Sequence, residues 1–173
     1  MRILIFLLGV ILSFNTFGDD KLSVTNTSVE SNTEFSFEVN LENSSPISAI
    51  QFDLDIDMTM FKLENGSSLN SSRIDGHQLS LSKISDSKLR FIIFSSSNKN
   101  LVTGSGKLIT VKLKSKYEPE SYSVNFSNII ASNASEESVS VTGESGSITL
   151  EAPKMVINTT SVNFDRVPLG QTK

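Results

Sequence analysis

Acidic side chains recur at every second position near residue 55, and their spacing could provide a metal site. Four carboxylates match positions 1, 3, 5 and 12 of an EF-hand calcium loop: Asp53, Asp55, Asp57 and Glu64. That loop needs a glycine at its sixth position for a sharp turn, but Met58 stands there. We therefore predict no metal-binding residues and no cofactor, and leave open only a less regular calcium site.

Groups that commonly act as nucleophiles or general bases are scarce. The chain has no cysteine, and its one histidine, His77, follows Asp75 and Gly76 in a predicted loop, where we expect a surface position. A serine nucleophile needs a base, and no Gly-x-Ser-x-Gly turn surrounds any serine. Paired carboxylates could still cleave glycosides, but no tryptophan is present to hold a sugar chain. The sequence therefore predicts no catalytic residues and a protein that is not an enzyme.

The overall charge and the aromatic content limit the classes of partner. A formal net charge of −4 disfavours binding to nucleic acid or to an anionic membrane surface. The chain has no tryptophan and only two tyrosines, Tyr117 and Tyr122, so we do not expect a flat aromatic platform for sugars. A sugar site built from hydrogen-bonding groups stays open. A carbohydrate-binding module, with a polysaccharide as ligand, is therefore an alternative to a protein-binding one.

The acidic positions belong to the segment 47–57, in which apolar and polar residues alternate. The apolar positions are Ile50, Phe52, Leu54 and Ile56, and the polar positions are Gln51, Asp53, Asp55 and Asp57. A period of two places the two sets on opposite faces of a strand. This pattern predicts a half-buried strand whose acidic face meets water or a partner.

Short strand patterns separated by turn residues fill most of the remaining chain. They cover residues 21–29, 33–41, 61–64, 79–84, 88–95, 107–115, 122–126 and 139–150. Residues 91–94 are apolar on both faces, which predicts a strand in the middle of a sheet. No segment after the first shows a helical period. About nine short strands at near-regular spacing predict an all-β fold, a jelly-roll β-sandwich.

The first 18 residues have the pattern of a secretory signal peptide. Arg2 precedes an apolar run at residues 3–12, and the small residues Thr16 and Gly18 come just before an acidic start. The run is shorter than the roughly 20 apolar residues of a membrane helix. We therefore predict a secreted or cell-surface protein with no membrane span in the mature chain. Residues 19–151 would form the sandwich, and residues 152–173 a linker and the start of a second, truncated β module.

Four segments within residues 22–150 carry a resemblance to the cohesin family. They are FSFEVNL at 35–41, ISAIQFDLDID at 47–57, GKLITVKLK at 106–114 and GSITL at 146–150. Cohesins are modules that bind dockerins in cellulose-degrading assemblies. The resemblance implies a jelly-roll sandwich and a dockerin-like protein partner in an extracellular scaffold linked to polysaccharide degradation. Ala49 and Gln51 stand where dockerin-binding members often carry Asn-x-Asp, so those hydrogen-bonding anchors are replaced.

The tail carries a second, shorter resemblance. Residues 161–172 resemble the first strand of abnormal-spindle/Hydin-type immunoglobulin-like domains, with Asp165 in place of the usual glycine. About 20 residues cannot bury a core of their own. The tail therefore either docks on the sandwich or opens a further module.

The cohesin resemblance also implies which surface meets the partner. It is the outer surface of the sheet formed by residues 47–57, 78–85, 89–95 and 122–127. The outward side chains that we predict to bind a partner are Gln51, Asp53, Asp55, Ser80, Ser82, Arg90, Ile92, Phe94, Ser123 and Asn125. In the middle strand we expect Arg90 to point outward because it carries the charge, so Ile92 and Phe94 form an apolar centre. A loop or the tail covering that centre, and a purely structural spacer role, are the alternatives.

Overall fold

Thirteen strands and one turn of 3-10 helix make up residues 20–153, the part of the chain that the computed structural model describes. The strands are β1 (Asp20–Val24), β2 (Thr27–Glu30), β3 (Glu34–Asn43), β4 (Ala49–Asp55), β5 (Phe61–Leu63), β6 (Ser68–Leu69), β7 (His77–Ser85), β8 (Lys88–Ser95), β9 (Gly104–Ser115), β10 (Ser121–Ser132), β11 (Ser138–Val139), β12 (Val141–Glu144) and β13 (Gly146–Glu151). The helical turn is Ser71–Arg73. The predicted signal peptide and the tail from residue 154 onward lie outside the described residues.

The strands form two sheets that pack as a sandwich, which confirms the predicted all-β jelly roll. The first sheet has the order β12-β1-β3-β9-β5, with β6 also paired to β9. The second has the order β2-β13-β10-β4-β8-β7, with β11 also paired to β10. The strand predicted at residues 21–29 is divided, because the chain passes from one sheet to the other between β1 and β2. Within residues 20–153 no helix is long and apolar enough to cross a membrane.

Alternating apolar residues from both sheets fill the space between them. Phe37, Val39 and Leu41 of β3 are buried from one side, as the alternation in residues 33–41 predicts. From the other side Phe52 of β4 stacks on Phe91 of β8, with ring centroids 4.9 Å apart and an interplanar angle of 9°. β4, the strand formed by the alternating segment 47–57, therefore lies inside the second sheet, with its apolar residues in the core.

A buried arginine, which the sequence did not single out, ties the connection before β7 to the first sheet. Arg73 donates hydrogen bonds to the carbonyl oxygens of Leu41, Val102 and Gly104, at 3.1 Å each, and to Oδ1 of Asn43 at 2.6 Å. The side chain has no carboxylate among these partners, and burial lowers its pKa from the ordinary value. Four acceptors from two segments, the end of β3 and the residues at the start of β9, therefore depend on one guanidinium group.

The single histidine is buried, so the expected surface position of His77 is wrong. Only 7% of the residue is exposed, because it begins β7 beneath the loop that follows β8. Its Nδ1 accepts a hydrogen bond from the backbone N–H of Asp75 at 3.2 Å, which leaves the proton of the neutral ring on Nε2. Nε2 makes no hydrogen bond of normal geometry among residues 20–153, although backbone groups of Ser48 and Lys99 lie close enough to the ring to favour its charged form. Burial lowers the pKa of His77 below its ordinary value of 6.5.

The buried histidine predicts how stability depends on pH. Below pH 6.5 the unfolded chain takes up a proton on His77, whereas the folded chain resists it, so the free energy of unfolding should fall as the pH drops below 6.5 and through the folded-state pKa. The full stability is present above pH 6.5. Because His77 is the one histidine and the chain has no cysteine, no other side chain titrates normally in this window. Urea unfolding at several pH values measures the slope.

A His77→Gln variant is the matched control for that measurement. It keeps a polar side chain of similar reach but removes the titrating ring, so the slope between pH 5 and 6.5 should vanish. An unchanged slope in the variant would show that another group is responsible.

Candidate partner-binding face

Four neighbouring strands of the second sheet present their outward side chains in registered rows. We call this surface the outer face; it consists of the outward side chains of β10, β4, β8 and β7. Cross-strand partners in adjacent strands point to the same side, so the pairing defines the rows. The first two rows, here called the charged half, hold Asn125, Asp55 and Lys88, then Ser127, Asp53, Arg90 and Ser82. The next two rows, the uncharged half, hold Ile130, Gln51, Ile92 and Ser80, then Ser132, Ala49, Phe94 and Gln78.

The middle strand, β8, has the orientation that we expected. Leu89, Phe91 and Ile93 are fully buried in the core. The alternate residues therefore point outward, and among them Phe94 is 37% exposed. The apolar sequence of β8 thus supplies a core face and part of an exposed apolar surface at once.

Asp53 points outward but is not the solvated carboxylate that the alternating pattern predicted. It is fully buried, because Arg90 on β8 lies over it. Arg90 donates from Nε to Oδ1 at 2.7 Å and from Nη2 to Oδ2 at 2.9 Å, and Asn128 donates from Nδ2 to Oδ2 at 2.7 Å. These bonds, above all those from Arg90, hold the pKa of Asp53 below its ordinary value against the opposing effect of burial. Asp53 therefore offers no free oxygen to a partner.

Asp55 repeats this arrangement one row along, with more exposure to solvent. Lys88 on β8 binds its Oδ1, and Ser127 on β10 donates to the same oxygen at 2.8 Å. Lys88 also donates to the hydroxyl of Ser127 at 3.0 Å. The side chains of Asp55 and Lys88 are 37% and 32% exposed. Both carboxylates of the charged half are thus paired with a cation on the neighbouring strand.

A bulge in β10 brings two residues to the outer face that the sequence reasoning missed. The register with β4 shifts between Ser127 and Ile130, and Asn128 has a φ of 50°, in the left-handed region. The bulge directs the amide of Asn128 onto Asp53 and turns Ile130 outward, where it is 63% exposed. The available signal was the break in alternation after Phe126, at an asparagine, which tolerates this backbone conformation.

The remaining predicted residues are exposed, but they do not all lie together. Ser80 and Ser82 lie on β7, opposite Ile92 and Arg90 of β8. Ser123 lies beyond the rows, where β10 no longer pairs with β4 and pairs with β13 instead. The predicted residues therefore do not form one continuous set: Ser123, at the start of β10, lies apart from the four rows.

Ser123 lines a cleft of about 400 Å³ at the point where β4 diverges from β10. Its lining residues include Asp57, Tyr122, Ser123 and Asn125. Asp57 accepts hydrogen bonds through Oδ1 from the backbone N–H and hydroxyl of Thr59, at 2.9 and 2.6 Å. The cleft is thus a concavity lined by both polar and apolar residues, Ile56 and Tyr122 among them, at the charged end of the outer face.

The aspartates of the EF-hand-like spacing have separate protein partners. Asp53 binds Arg90, Asp55 binds Lys88, and Asp57 binds Thr59. Among residues 20–153 no group of three or more histidine, aspartate or glutamate side chains is placed to hold a metal ion. The regular strand therefore accounts for the spacing.

The chain is a two-sheet jelly-roll β-sandwich module whose outer face presents exposed apolar residues beside ion pairs. The chain belongs to the cohesin family, because the family model for the cohesin domain matches residues 21–150. No curated protein gives a significant sequence match. Cohesin domains are binding modules without catalytic activity, which agrees with the predicted absence of catalytic residues.

Solved structures with the same fold are cohesins at low sequence identity. The seventh ScaB type I cohesin from Pseudobacteroides cellulosolvens is 18% identical, with a TM-score of 0.69 over 83% of this chain and 99% of that one. A non-cellulosomal cohesin from the archaeon Archaeoglobus fulgidus is 16% identical, with a TM-score of 0.65 over 78% of this chain and 93% of that one. The cohesin–dockerin complex of OlpC from Clostridium thermocellum gives 13% identity and a TM-score of 0.67, over 78% and 95%. These likenesses establish the fold.

Proposed function

We propose that the chain is a secreted or cell-surface module that binds a dockerin-like protein through the uncharged half of its outer face. The observation that carries this proposal is the apolar patch formed there by Ile92, Phe94 and Ile130. Cohesin–dockerin complexes among the structures with the same fold support a dockerin-like partner. In this role the module would attach a partner to an extracellular scaffold, with polysaccharide degradation as the associated process.

The patch has the layout of a protein interface. Phe94 and Ile130 are 37% and 63% exposed, on strands that flank β4 from either side. The polar residues among and beside them are uncharged: Gln51 lies between Ile130 and Ile92 in one row, and Ser80 and Gln78 lie beside Ile92 and Phe94 on β7. The centres of protein interfaces are typically depleted in charged residues, as this patch is. Covering these side chains with a partner would remove apolar area from water and stabilise the complex.

A binding screen tests the proposal. The purified chain would be presented to a panel of dockerin modules and, in parallel, to a glycan array. We expect a dockerin to bind and neutral glycans to bind weakly or not at all. Glycan binding without any dockerin partner would replace the proposal by the carbohydrate-binding alternative, for which the cleft beside Asp57 and Tyr122 is the best candidate site. Binding of neither class would favour a structural spacer.

Truncating Phe94, the aromatic side chain of the patch, should weaken binding strongly. Phe94→Ala should reduce the affinity for the bound dockerin about 30-fold or more, roughly 2 kcal/mol, because aromatic anchors dominate such interfaces. Calorimetric titration measures the change. The matched control is Ile84→Ala. Ile84 is an exposed apolar residue on β7 (44% exposed) that lies outside the four rows. Equal affinities for Phe94→Ala and the unmodified chain would show that Phe94 is not an anchor of the interface, and unfolding of the variant would show that its main role is in the fold.

A further inference from the structure

The outer face carries as many positive as negative charges. Over the four rows the charged side chains are Asp53, Asp55, Lys88 and Arg90, which sum to zero. The whole chain, in contrast, has a formal net charge of −4. The face is therefore neutral on an acidic protein, although the sequence pattern alone predicted an acidic surface there.

These charges are already satisfied within the molecule. Both oxygens of Asp53 accept from Arg90, and the second also accepts from Asn128. Asp55 accepts from Lys88 and Ser127. A charged group of a partner that approached either pair would be attracted by one member and repelled by the other at nearly the same distance, so the net Coulomb energy would be small. Breaking a pair to reach one member would leave the other charge unpaired, which is unfavourable.

From this compensation we infer the chemistry of the partner: its contact surface is apolar and uncharged, and it docks on the uncharged half without using ionic contacts. The inference rests on the proposed function and specifies its partner. Ile92, Phe94 and Ile130 receive apolar side chains of the partner, while Gln51, Gln78 and Ser80 exchange hydrogen bonds with uncharged groups. Charge complementarity thus excludes strongly acidic and strongly basic partner surfaces at this site.

The dependence of binding on salt tests the inference. With the dockerin module selected by the screen, the dissociation constant should stay within about threefold between 50 and 500 mM NaCl, or decrease, because screening weakens only ionic contacts. Ile130→Ser should weaken binding at least tenfold at both salt concentrations, whereas the control Ile84→Ser should not. Weakening of the unmodified complex by more than tenfold at high salt would overturn the inference while leaving the proposed function intact.

A second measurement does not need the dockerin, so it still tests the inference if the screen finds no protein partner and the proposed function fails. The isotope-labelled chain is titrated with isopropanol, methylguanidinium or acetate and followed by NMR. Isopropanol should shift the amide signals of Ile92, Phe94 and Ile130, and the two ions should leave those of Asp53 and Arg90 in place. Shifts caused by the ions in the charged half, or no isopropanol shifts in the uncharged half, would overturn the inference.

Discussion

Replacement of Arg90 by methionine should lower the melting temperature by about 10 °C or more, because it leaves a buried carboxylate without its cation. Asp53 is fully buried and would keep only the amide of Asn128 as a donor. Methionine retains much of the apolar stem of arginine, so the change isolates the lost ion pair from lost packing. Thermal unfolding followed by circular dichroism measures the effect at pH 7.

The chain supplies its own control one row away. Lys88→Met removes the cation of Asp55, which is 37% exposed and can be solvated, so we expect a much smaller change in melting temperature. Adding Asp53→Leu to Arg90→Met should recover part of the lost stability, since it removes the unpaired charge. If Arg90→Met and Lys88→Met lowered the melting temperature equally, the result would show that water solvates the carboxylate of Asp53 in the Arg90→Met variant.

The ion pair between Asp53 and Arg90 also predicts how the stability of the chain depends on pH. The pKa of Asp53 is depressed in the folded chain, so the stability contributed by its ion pair is present above the ordinary value of 3.8 and is lost as the pH falls through the folded-state pKa. The difference in stability between Arg90→Met and the unmodified chain should therefore shrink below pH 3.8. This window is separate from that of His77, which begins near pH 6.5.

Arg73→Met should reduce the free energy of unfolding by about 3 kcal/mol, because the buried acceptors on Leu41 and Asn43 would lose their donor together with two part-buried carbonyl oxygens. The affected acceptors are the carbonyl oxygens of Leu41, Val102 and Gly104 and the side chain of Asn43. Arg73→Lys should also be destabilising, since an ammonium group cannot span acceptors that are arranged around a planar guanidinium. Urea unfolding measures both variants.

An exposed cation is the control for Arg73. Lys107 forms a surface ion pair with Glu38 at 3.1 Å, with 39% and 44% of the two side chains exposed, so Lys107→Met should change stability little. A loss for Arg73→Met as small as that for Lys107→Met would mean that the acceptors around Arg73 find other donors.

The fold could be predicted from the sequence because it follows from local alternation. In β3, β4 and β9 every second residue is apolar, and a period of two determines both the strand and its buried face. The orientation of β8 followed from the position of one charge, Arg90. The shortest strands could not be predicted from alternation, because β6 and β11 contain only two residues each.

The chemistry of the outer face could be predicted only in part, because it depends on pairing across strands. Nothing local in the sequence shows that Arg90 lies opposite Asp53, or that Lys88 lies opposite Asp55. The contribution of Asn128 depends on a bulge, which shifts the register and cannot be derived from alternation alone. The burial of Arg73 and His77 likewise results from packing between segments that are far apart in sequence.

The pairing of the first and last strands has a consequence for how the module would respond to a pulling force. β1 pairs in parallel with β12 in one sheet, and β2 pairs in parallel with β13 in the other. Tension applied between the start of β1 and the end of β13 would pull each parallel pair lengthwise, so its hydrogen bonds would be loaded together in shear rather than opened one at a time. Such a geometry resists extension of the domain between its two ends.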